Sequence, residues 1–166
     1  MRENTRWGIE EWKEAGAVIG KNVVSINSFI DRAFPWLVEV GDNTVLTGTT
    51  ILAHDASTHP ALGYSKVGFT RIGKDCFIGH GSIILAGVKV GDRCIVGAGS
   101  VISKDVPENS VVVGFGRILP YTRDEYLEMH RMRIEDSDVV INKVVTDRDE
   151  QEKLRKQIEA NGGYAV

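Results

Sequence analysis

Large aliphatic residues return at every sixth position over much of the chain. A first block opens its hexads at Val40, Leu46 and Leu52. After an interruption, a second block opens six more hexads, at Ile72, Ile78, Ile84, Val90, Val96 and Ile102. The fifth residue of each hexad is small or β-branched in every case: Thr44, Thr50, Ala56, Cys76, Ser82, Val88, Cys94, Ser100 and Val106. One large and one small inward position per hexad predict short strands joined by turns, in which each coil buries its aliphatic side chains against the next.

Two segments lose this register. Residues 57–71 separate the two blocks and contain a His-Pro pair, which predicts a loop that leaves the coil. Residues 27–37 contain a Phe-Pro-Trp sequence and also depart from the hexads. Because loops carried by a rigid scaffold commonly hold binding residues, we expect the substrate at these two interruptions.

Both ends of the repeat region have helical patterns. Residues 9–15 predict a short helix that caps the first coil, which would otherwise expose its core and a strand edge. Residues 122–125 form a capping box that predicts a longer helix, and residues 146–149 predict the start of another. We therefore divide the chain into a β-helix domain, residues 1–120, and a charged helical extension, residues 121–166.

Composition supports the strand prediction and excludes several classes of protein. Sixteen of the 18 glycines precede residue 117, and glycine beside many valines and isoleucines disfavours helices there. A net charge of −3 disfavours a dedicated nucleic-acid binder. The chain has no apolar run near the roughly 18 residues that span a bilayer, and residues 1–6 lack the apolar core of a signal peptide. We expect a soluble, cytoplasmic protein.

The two cysteines fit the repeat rather than a redox or metal site. Cys76 and Cys94 lie three hexads apart, so the period places them on the same side of successive coils. Two cysteines are too few for a disulfide framework, and neither has a neighbouring metal ligand in the sequence. We interpret both as small core residues.

Residues 72–79 (IGKDCFIG) and 90–107 (VGDRCIVGAGSVISKDVP) closely match one repeat and the closing coil of a known family. Over roughly residues 16–135 the chain resembles the hexapeptide-repeat acyltransferases, most closely the capsule, lipopolysaccharide and maltose-type O-acetyltransferases. This resemblance implies an all-β fold, a left-handed parallel β-helix of triangular section with three hexads per turn. It also implies acetyl-CoA as co-substrate, no metal, and a homotrimer that binds coenzyme A between two subunits.

The resemblance further implies a histidine base. Transfer from a thioester to an alcohol requires removal of the alcohol proton, and an imidazole with an unperturbed pKa near 6.5 is suited to that step. His54 is the first candidate, because related acetyltransferases place their base at this hexad position, with Asp55 or a backbone carbonyl orienting the ring. His59 is the alternative, because the maltose- and galactoside-type enzymes carry their base in a similar His-Pro pair.

Binding residues follow from the same resemblance. The positions that match the coenzyme A groove are Gly79, His80, Ala98, Ser103, Lys104 and Arg117. We expect the acceptor, a saccharide hydroxyl, to contact Asn27, Asp31, His59 and Tyr64.

Three alternative functions stay open at this stage. A sugar N-acetyltransferase would share the same machinery. A zinc enzyme like the γ-class carbonic anhydrases would use His80, which lies in a similar Gly-His-Gly sequence, but Leu85 stands where that family has a second histidine ligand. A non-catalytic β-helix scaffold is the third alternative, since a fold does not by itself establish an activity.

Overall fold

The computed structural model describes residues 7–137, 139–141 and 144–165. Residues 1–6, which carried the signal-peptide argument, lie outside the described residues. The helices and strands are numbered in chain order below.

The repeat region is built from very short strands. They are β1 (Val18–Ile19), β2 (Val24–Ile26), β3 (Phe29–Ile30), β4 (Val38–Val40), β5 (Val45–Thr47), β6 (Thr50–Ile51), β7 (His54–Asp55), β8 (Lys66–Val67), β9 (Thr70–Ile72), β10 (Phe77–Ile78), β11 (Ile83–Ile84), β12 (Lys89–Val90), β13 (Ile95–Val96), β14 (Val101–Ile102), β15 (Ser110–Val113) and β16 (Arg117–Thr122).

These strands form a parallel β-helix with three faces. Face A is the sheet β1-β4-β9-β12, face C is the sheet β3-β6-β11-β14, and face B is the sheet β2-β5-β10-β13-β15, to which β16 adds an antiparallel edge strand. Each turn of the β-helix is here called a coil, and it passes through face A, then face B, then face C. Coil 1 holds β1 to β3, coil 2 holds β4 to β6, coil 3 holds β9 to β11 and coil 4 holds β12 to β14.

The interior is a stack of the predicted aliphatic residues. Val40 and Ile72 pair on face A, and Leu46 and Ile78 pair on face B; all four side chains are fully buried. Seven of the nine predicted small inward positions are buried as well: Thr44, Cys76, Ser82, Val88, Cys94, Ser100 and Val106. The hexad prediction is therefore confirmed for eight of the nine large aliphatic positions and for seven of the nine small ones.

The two cysteines stack as predicted. The Cys94 backbone N–H donates to the Cys76 Sγ at 3.4 Å, and both thiols are free and buried. The neighbouring Cys94 thiol and burial raise the pKa of Cys76. A thiol held protonated in this way is a poor nucleophile, which agrees with a core role.

The predicted hexad Leu52 to Ser57 is wrong by one residue. Ile51, rather than Leu52, points inward and pairs with Ile84, because the turn at Gly48 is one residue shorter than the corresponding turn of the next coil. Two predictions fail with it, since Thr49 is buried in place of Thr50 and Ala56 is exposed.

The predicted loop 57–71 is a structured excursion between face C and face A. Strands β7 and β8 pair antiparallel, with His54 opposite Val67, and helix α2 (His59–Leu62) lies between them. The chain then rejoins the coil at β9 without disturbing its register against β4. The excursion therefore begins three residues earlier than the loop predicted from the sequence.

The N-terminal cap forms as helix α1 (Ile9–Glu14), and its Trp12 side chain is fully buried against the core of the coils. Contacts divide the chain into a first unit, Met1–Arg123, and a second, Asp124–Val166. The second unit contains helix α3 (Arg123–Glu135), β17 (Val140–Ile141), helix α4 (Arg148–Asn161) and β18 (Tyr164–Ala165). The first residue of α3, Arg123, belongs to the first unit. Within the residues described, no helix is long and apolar enough to cross a bilayer.

Candidate active site

The candidate site lies where coils 1 and 2 leave face C. Strand β3 pairs with β6, with Ile30 beside Ile51, so the residues that follow these two strands are stacked neighbours. Asp31 follows β3 directly, and His54 comes three residues after Ile51. Stacking of the coils therefore brings together two residues that are far apart in the sequence.

Asp31 is almost completely buried and is surrounded by N–H donors. Its Oδ2 accepts hydrogen bonds from the backbone N–H groups of Ala53 at 2.9 Å and His54 at 3.0 Å. Its Oδ1 accepts from the N–H groups of Ala33 at 3.0 Å and Phe34 at 3.4 Å. The carboxylate therefore fixes both the turn of its own coil and the start of the hairpin on the next coil.

The His54 ring also contacts this carboxylate, through a hydrogen bond between Nδ1 and Asp31 Oδ2. Burial raises the pKa of Asp31, but the hydrogen bonds from Ala53, His54 and Ala33 outweigh it and hold that pKa below its usual value. An ionised carboxylate can only accept, so the proton of this hydrogen bond lies on Nδ1. The opposite nitrogen, Nε2, then carries the lone pair.

The imidazole remains accessible on its other side. The His54 side chain is 29% exposed, whereas Asp31 is 2% exposed. Among the described residues, no protein group hydrogen-bonds to Nε2. The arrangement is a histidine fixed in one tautomer with its basic nitrogen free, which is the chemistry of a general base.

Aromatic side chains border this histidine. The Phe34 ring is tilted against the His54 ring, with centroids 5.3 Å apart, and it meets the Trp36 ring edge-on at 5.6 Å. Pro35 to Leu37 form a short 3-10 helix that carries Trp36 outward. Residues 27–37 therefore supply both the partner and the aromatic surroundings of His54.

Two predicted roles are corrected by this geometry. Asp55 does not orient the ring; it is exposed, and its Oδ1 accepts from the Ser57 N–H at 2.9 Å, which lowers its pKa. Asp31 is the ring partner instead of an acceptor contact, because both of its oxygens are already engaged and the side chain is buried.

The other predicted acceptor residues are dispersed. His59 is exposed at the start of α2, and Tyr64 is exposed beyond that helix, where its carbonyl accepts from the Thr58 hydroxyl at 2.7 Å. Asn27 lies in the turn between β2 and β3, at the opposite edge of face C from His54. The structure thus brings Asp31 to His54 but leaves Asn27 at another corner.

The predicted donor residues fall into three places. Gly79, His80 and Ala98 lie in the turns between faces B and C of coils 3 and 4, where a Cβ on Gly79 would come within 2.9 Å of the Ala98 Cα. Ser103 and Lys104 lie exposed after β14, at the other edge of face C, and Arg117 is exposed at the start of β16. The first two groups therefore flank face C, and the third lies at the end of face B.

His80 has a structural explanation at this corner. A Cβ on Gly48 would lie 2.6 Å from the His80 Nδ1, so the imidazole lies over the shorter turn of the preceding coil. Leu85 packs partly buried against the core at the far edge of face C. Within the described residues, His, Cys, Asp and Glu side chains do not form any group of three that could hold a metal ion.

Comparison with known proteins agrees with this architecture. The sequence model of the bacterial transferase hexapeptide family (six repeats) matches residues 69–104. A curated relative, "Putative acetyltransferase YvoF" of Bacillus subtilis (strain 168), is 39% identical over 99 residues, which are 59% of this chain and 55% of the relative. The chain therefore matches about half the length of that protein.

Two solved structures share the fold. A hexapeptide-repeat-containing acetyltransferase from Vibrio cholerae O1 biovar eltor, complexed with acetyl coenzyme A, has a TM-score of 0.54 and 21% identity over 72% of this chain and 80% of that one. A galactoside acetyltransferase in complex with coenzyme A has a TM-score of 0.55 and 20% identity over 75% of this chain and 76% of that one. The predicted resemblance to hexapeptide-repeat acyltransferases is confirmed, and the likeness supports the left-handed hand of the β-helix.

Proposed function

We propose that this protein is an acyl-CoA-dependent O-acetyltransferase that transfers an acetyl group from acetyl-CoA to a saccharide hydroxyl. The match of residues 69–104 to the bacterial transferase hexapeptide family supports this proposal. The observation that carries this proposal is the Asp31–His54 pair, in which a buried carboxylate fixes the imidazole and leaves Nε2 accessible. Asp31 is a positioning residue, and His54 is the catalytic base.

The reaction proceeds by direct attack. The acceptor oxygen attacks the thioester carbonyl carbon while His54 Nε2 takes the hydroxyl proton. The new C–O bond gives a tetrahedral intermediate, which collapses as the C–S bond breaks. The coenzyme A sulfur leaves with the electron pair and receives the proton from His54, so the products are an acetyl ester and free coenzyme A. Asp31 stays ionised and stabilises the imidazolium that forms between the two proton transfers.

Similar proteins support the donor. The relative that is 39% identical is named as an acetyltransferase, and both solved structures described above hold coenzyme A or its acetyl thioester on this fold. The family resemblance implies that the pantetheine arm lies beside Gly79 and Ala98, and Lys104 supplies a cation for phosphate. We place the donor along face C of coils 3 and 4.

The outer faces support a homotrimer. Face A presents Val18 and then Glu39, Arg71 and Lys89 in one register, whereas faces B and C present apolar residues there except for Thr50. Examples are Phe77 on face B and Phe29 on face C, 44% and 37% exposed respectively. Unpartnered apolar sheet faces of this kind are suited to subunit contacts, while the charged face suits solvent.

Thiol release from acetyl-CoA with a panel of sugars tests the proposal. We expect His54→Ala to lower kcat by about 10²–10⁴-fold while coenzyme A still raises the melting temperature as it does in the wild type. His130→Ala, in the second unit, is the matched control and should keep the wild-type rate. A wild-type rate in His54→Ala, or no thermal shift with coenzyme A in the wild type, would contradict the proposal.

The chemical form of the product separates the two acetyl acceptors. An ester formed on a hydroxyl is cleaved by mild alkali, whereas an amide formed on an amino sugar survives it. We expect an alkali-labile product, and an alkali-stable one would identify an N-acetyltransferase with the same base.

A further inference from the structure

The indole of Trp36 is large, apolar and more than half exposed beside the candidate base. Its exposed fraction is 55%, although exposing a side chain of this size forgoes a substantial hydrophobic gain. The residue is not a loosely attached surface group, because it lies within the 3-10 helix that follows Phe34. An exposed aromatic held in place next to a reactive group is suited to ligand contact.

Two features hold the indole where it is. The Phe34 N–H donates to Asp31, and the Phe34 ring packs edge-on against the indole, so the position of Trp36 depends on the same carboxylate that orients His54. On the other side, Gly16 takes a positive φ of 100°, and a Cβ there would come within 3.2 Å of the Trp36 Cβ. The backbone after α1 therefore approaches Trp36 closely and limits its movement.

The indole and the imidazole border the same phenyl ring. Their centroids lie 5.6 Å and 5.3 Å, respectively, from the Phe34 centroid. Phe34 therefore connects the exposed indole to the candidate base.

We propose that Trp36 is the acceptor platform, on which a pyranose ring stacks through its C–H face while one of its hydroxyls reaches His54. A pyranose has an apolar face and a polar rim, which match an aromatic face bordered by a base. The role rests on the proposed acetyl transfer and adds a specificity residue to it: Trp36 selects ring-shaped acceptors over acyclic alcohols. Phe34 forms the wall between platform and base.

Kinetics with two acceptors test this role. The probes are methyl α-D-glucopyranoside, which has a ring, and glycerol, which offers hydroxyls without one. We expect Trp36→Ala to raise KM for the glucoside about tenfold with kcat changed less than twofold, since tenfold corresponds to about 1.4 kcal/mol, which is within the range of an aromatic contact. The same variant should lower kcat/KM for glycerol less than it lowers kcat/KM for the glucoside, and Trp36→Phe should recover most of the glucoside affinity. Met132→Ala, on α3 and 58% exposed, is the matched control for loss of an exposed apolar side chain.

Binding without turnover keeps this inference separate from the transferase proposal. Saturation-transfer NMR with the glucoside should show ring C–H contacts in the wild type and lose them in Trp36→Ala, whether or not acetyl-CoA is added. Equal glucoside KM and equal NMR contacts in both proteins would overturn the platform. A change in molecular mass of Trp36→Ala by light scattering would also overturn it, by assigning the indole to a subunit contact. Absence of thiol release from the wild type with retained NMR contacts would contradict the transferase proposal alone.

Discussion

The chain passes from face C to face A after each of the first three coils, and the second and third of these passages differ sharply. After Ile84 it turns through Leu85 and Gly87 and reaches Val90 within one hexad. After Ile51 it builds the hairpin of β7 and β8 with α2 before it reaches Ile72. Both passages end in the same register on face A, so the packing of the β-helix core does not depend on the conformation of the connection between the two faces.

The two connections contribute different kinds of residue to the protein. The regular corner contributes aliphatic side chains to the core, and its sequence is fixed by packing. The interrupted corner contributes His54, and the corner below it contributes Asp31, Phe34 and Trp36. The candidate site lies where the repeat is interrupted, because side chains there can be held close together without packing the core.

The largest expected effect tests the regular part. Ile72→Ala removes a fully buried side chain and should lower the free energy of unfolding by about 2–5 kcal/mol, because the stacked coils cannot collapse into the cavity. Arg71→Ala, at the adjacent outward position, removes a partly exposed ion pair with Glu39 at 2.9 Å and should cost about 0–1 kcal/mol. Urea unfolding measures both; similar losses would mean that inward and outward positions are not distinguished as described.

The interrupted corner is tested by Asp31→Asn. Loss of the ionised acceptor should lower kcat and reduce stability by about 1–3 kcal/mol at pH 7. Because the pKa of Asp31 is lowered in the folded protein, its contribution is complete above the unfolded pKa of about 3.9 and disappears as pH falls through the folded value. The stability difference between wild type and Asp31→Asn should therefore narrow at acid pH.

Asp55→Asn is the matched control for that prediction. Its carboxylate is exposed and caps only its own turn, so we expect kcat to change less than twofold. A larger loss of kcat in Asp55→Asn than in Asp31→Asn would return the orienting role to Asp55.

The smallest expected effects concern two glycines in turns between faces B and C, Gly99 in coil 4 and Gly48 in coil 2. Gly99→Ala should cost about 1 kcal/mol, since φ is +69° and the Cβ would meet nothing within 4 Å. Gly48→Ala has a similar φ of +55° but would also collide with the His80 ring, and should cost about 1 kcal/mol more. Thermal unfolding of the Gly48→Ala, His80→Ala double variant should recover that extra loss; if it does not, His80 does not fill the shorter turn.

Most of the fold could be predicted from the sequence, because the hexad pattern indicates which side chain of each short strand points into the core. The predicted inward position of Leu52 is wrong, because its side chain is as large and apolar as that of Ile51 and only the shortened turn at Gly48 directs Ile51 inward. His54 could be predicted as a candidate base because related acetyltransferases place their base at this hexad position. Its partner could not, since residues 27–37 lack hexad register in the sequence and only the pairing of Ile30 with Ile51 brings Asp31 to His54.

Residues 54–67 leave the β-helix after face C, and the chain rejoins face A at β9, beside β4. This arrangement has a practical consequence for engineering. The entropic cost of closing such an excursion grows only slowly with its length. Longer, shorter or differently composed segments can therefore be exchanged between β7 and β8, at residues 56–65, with His54 and the coils before and after it retained. A library built there would test whether this segment affects the choice of acceptor, without any redesign of the core.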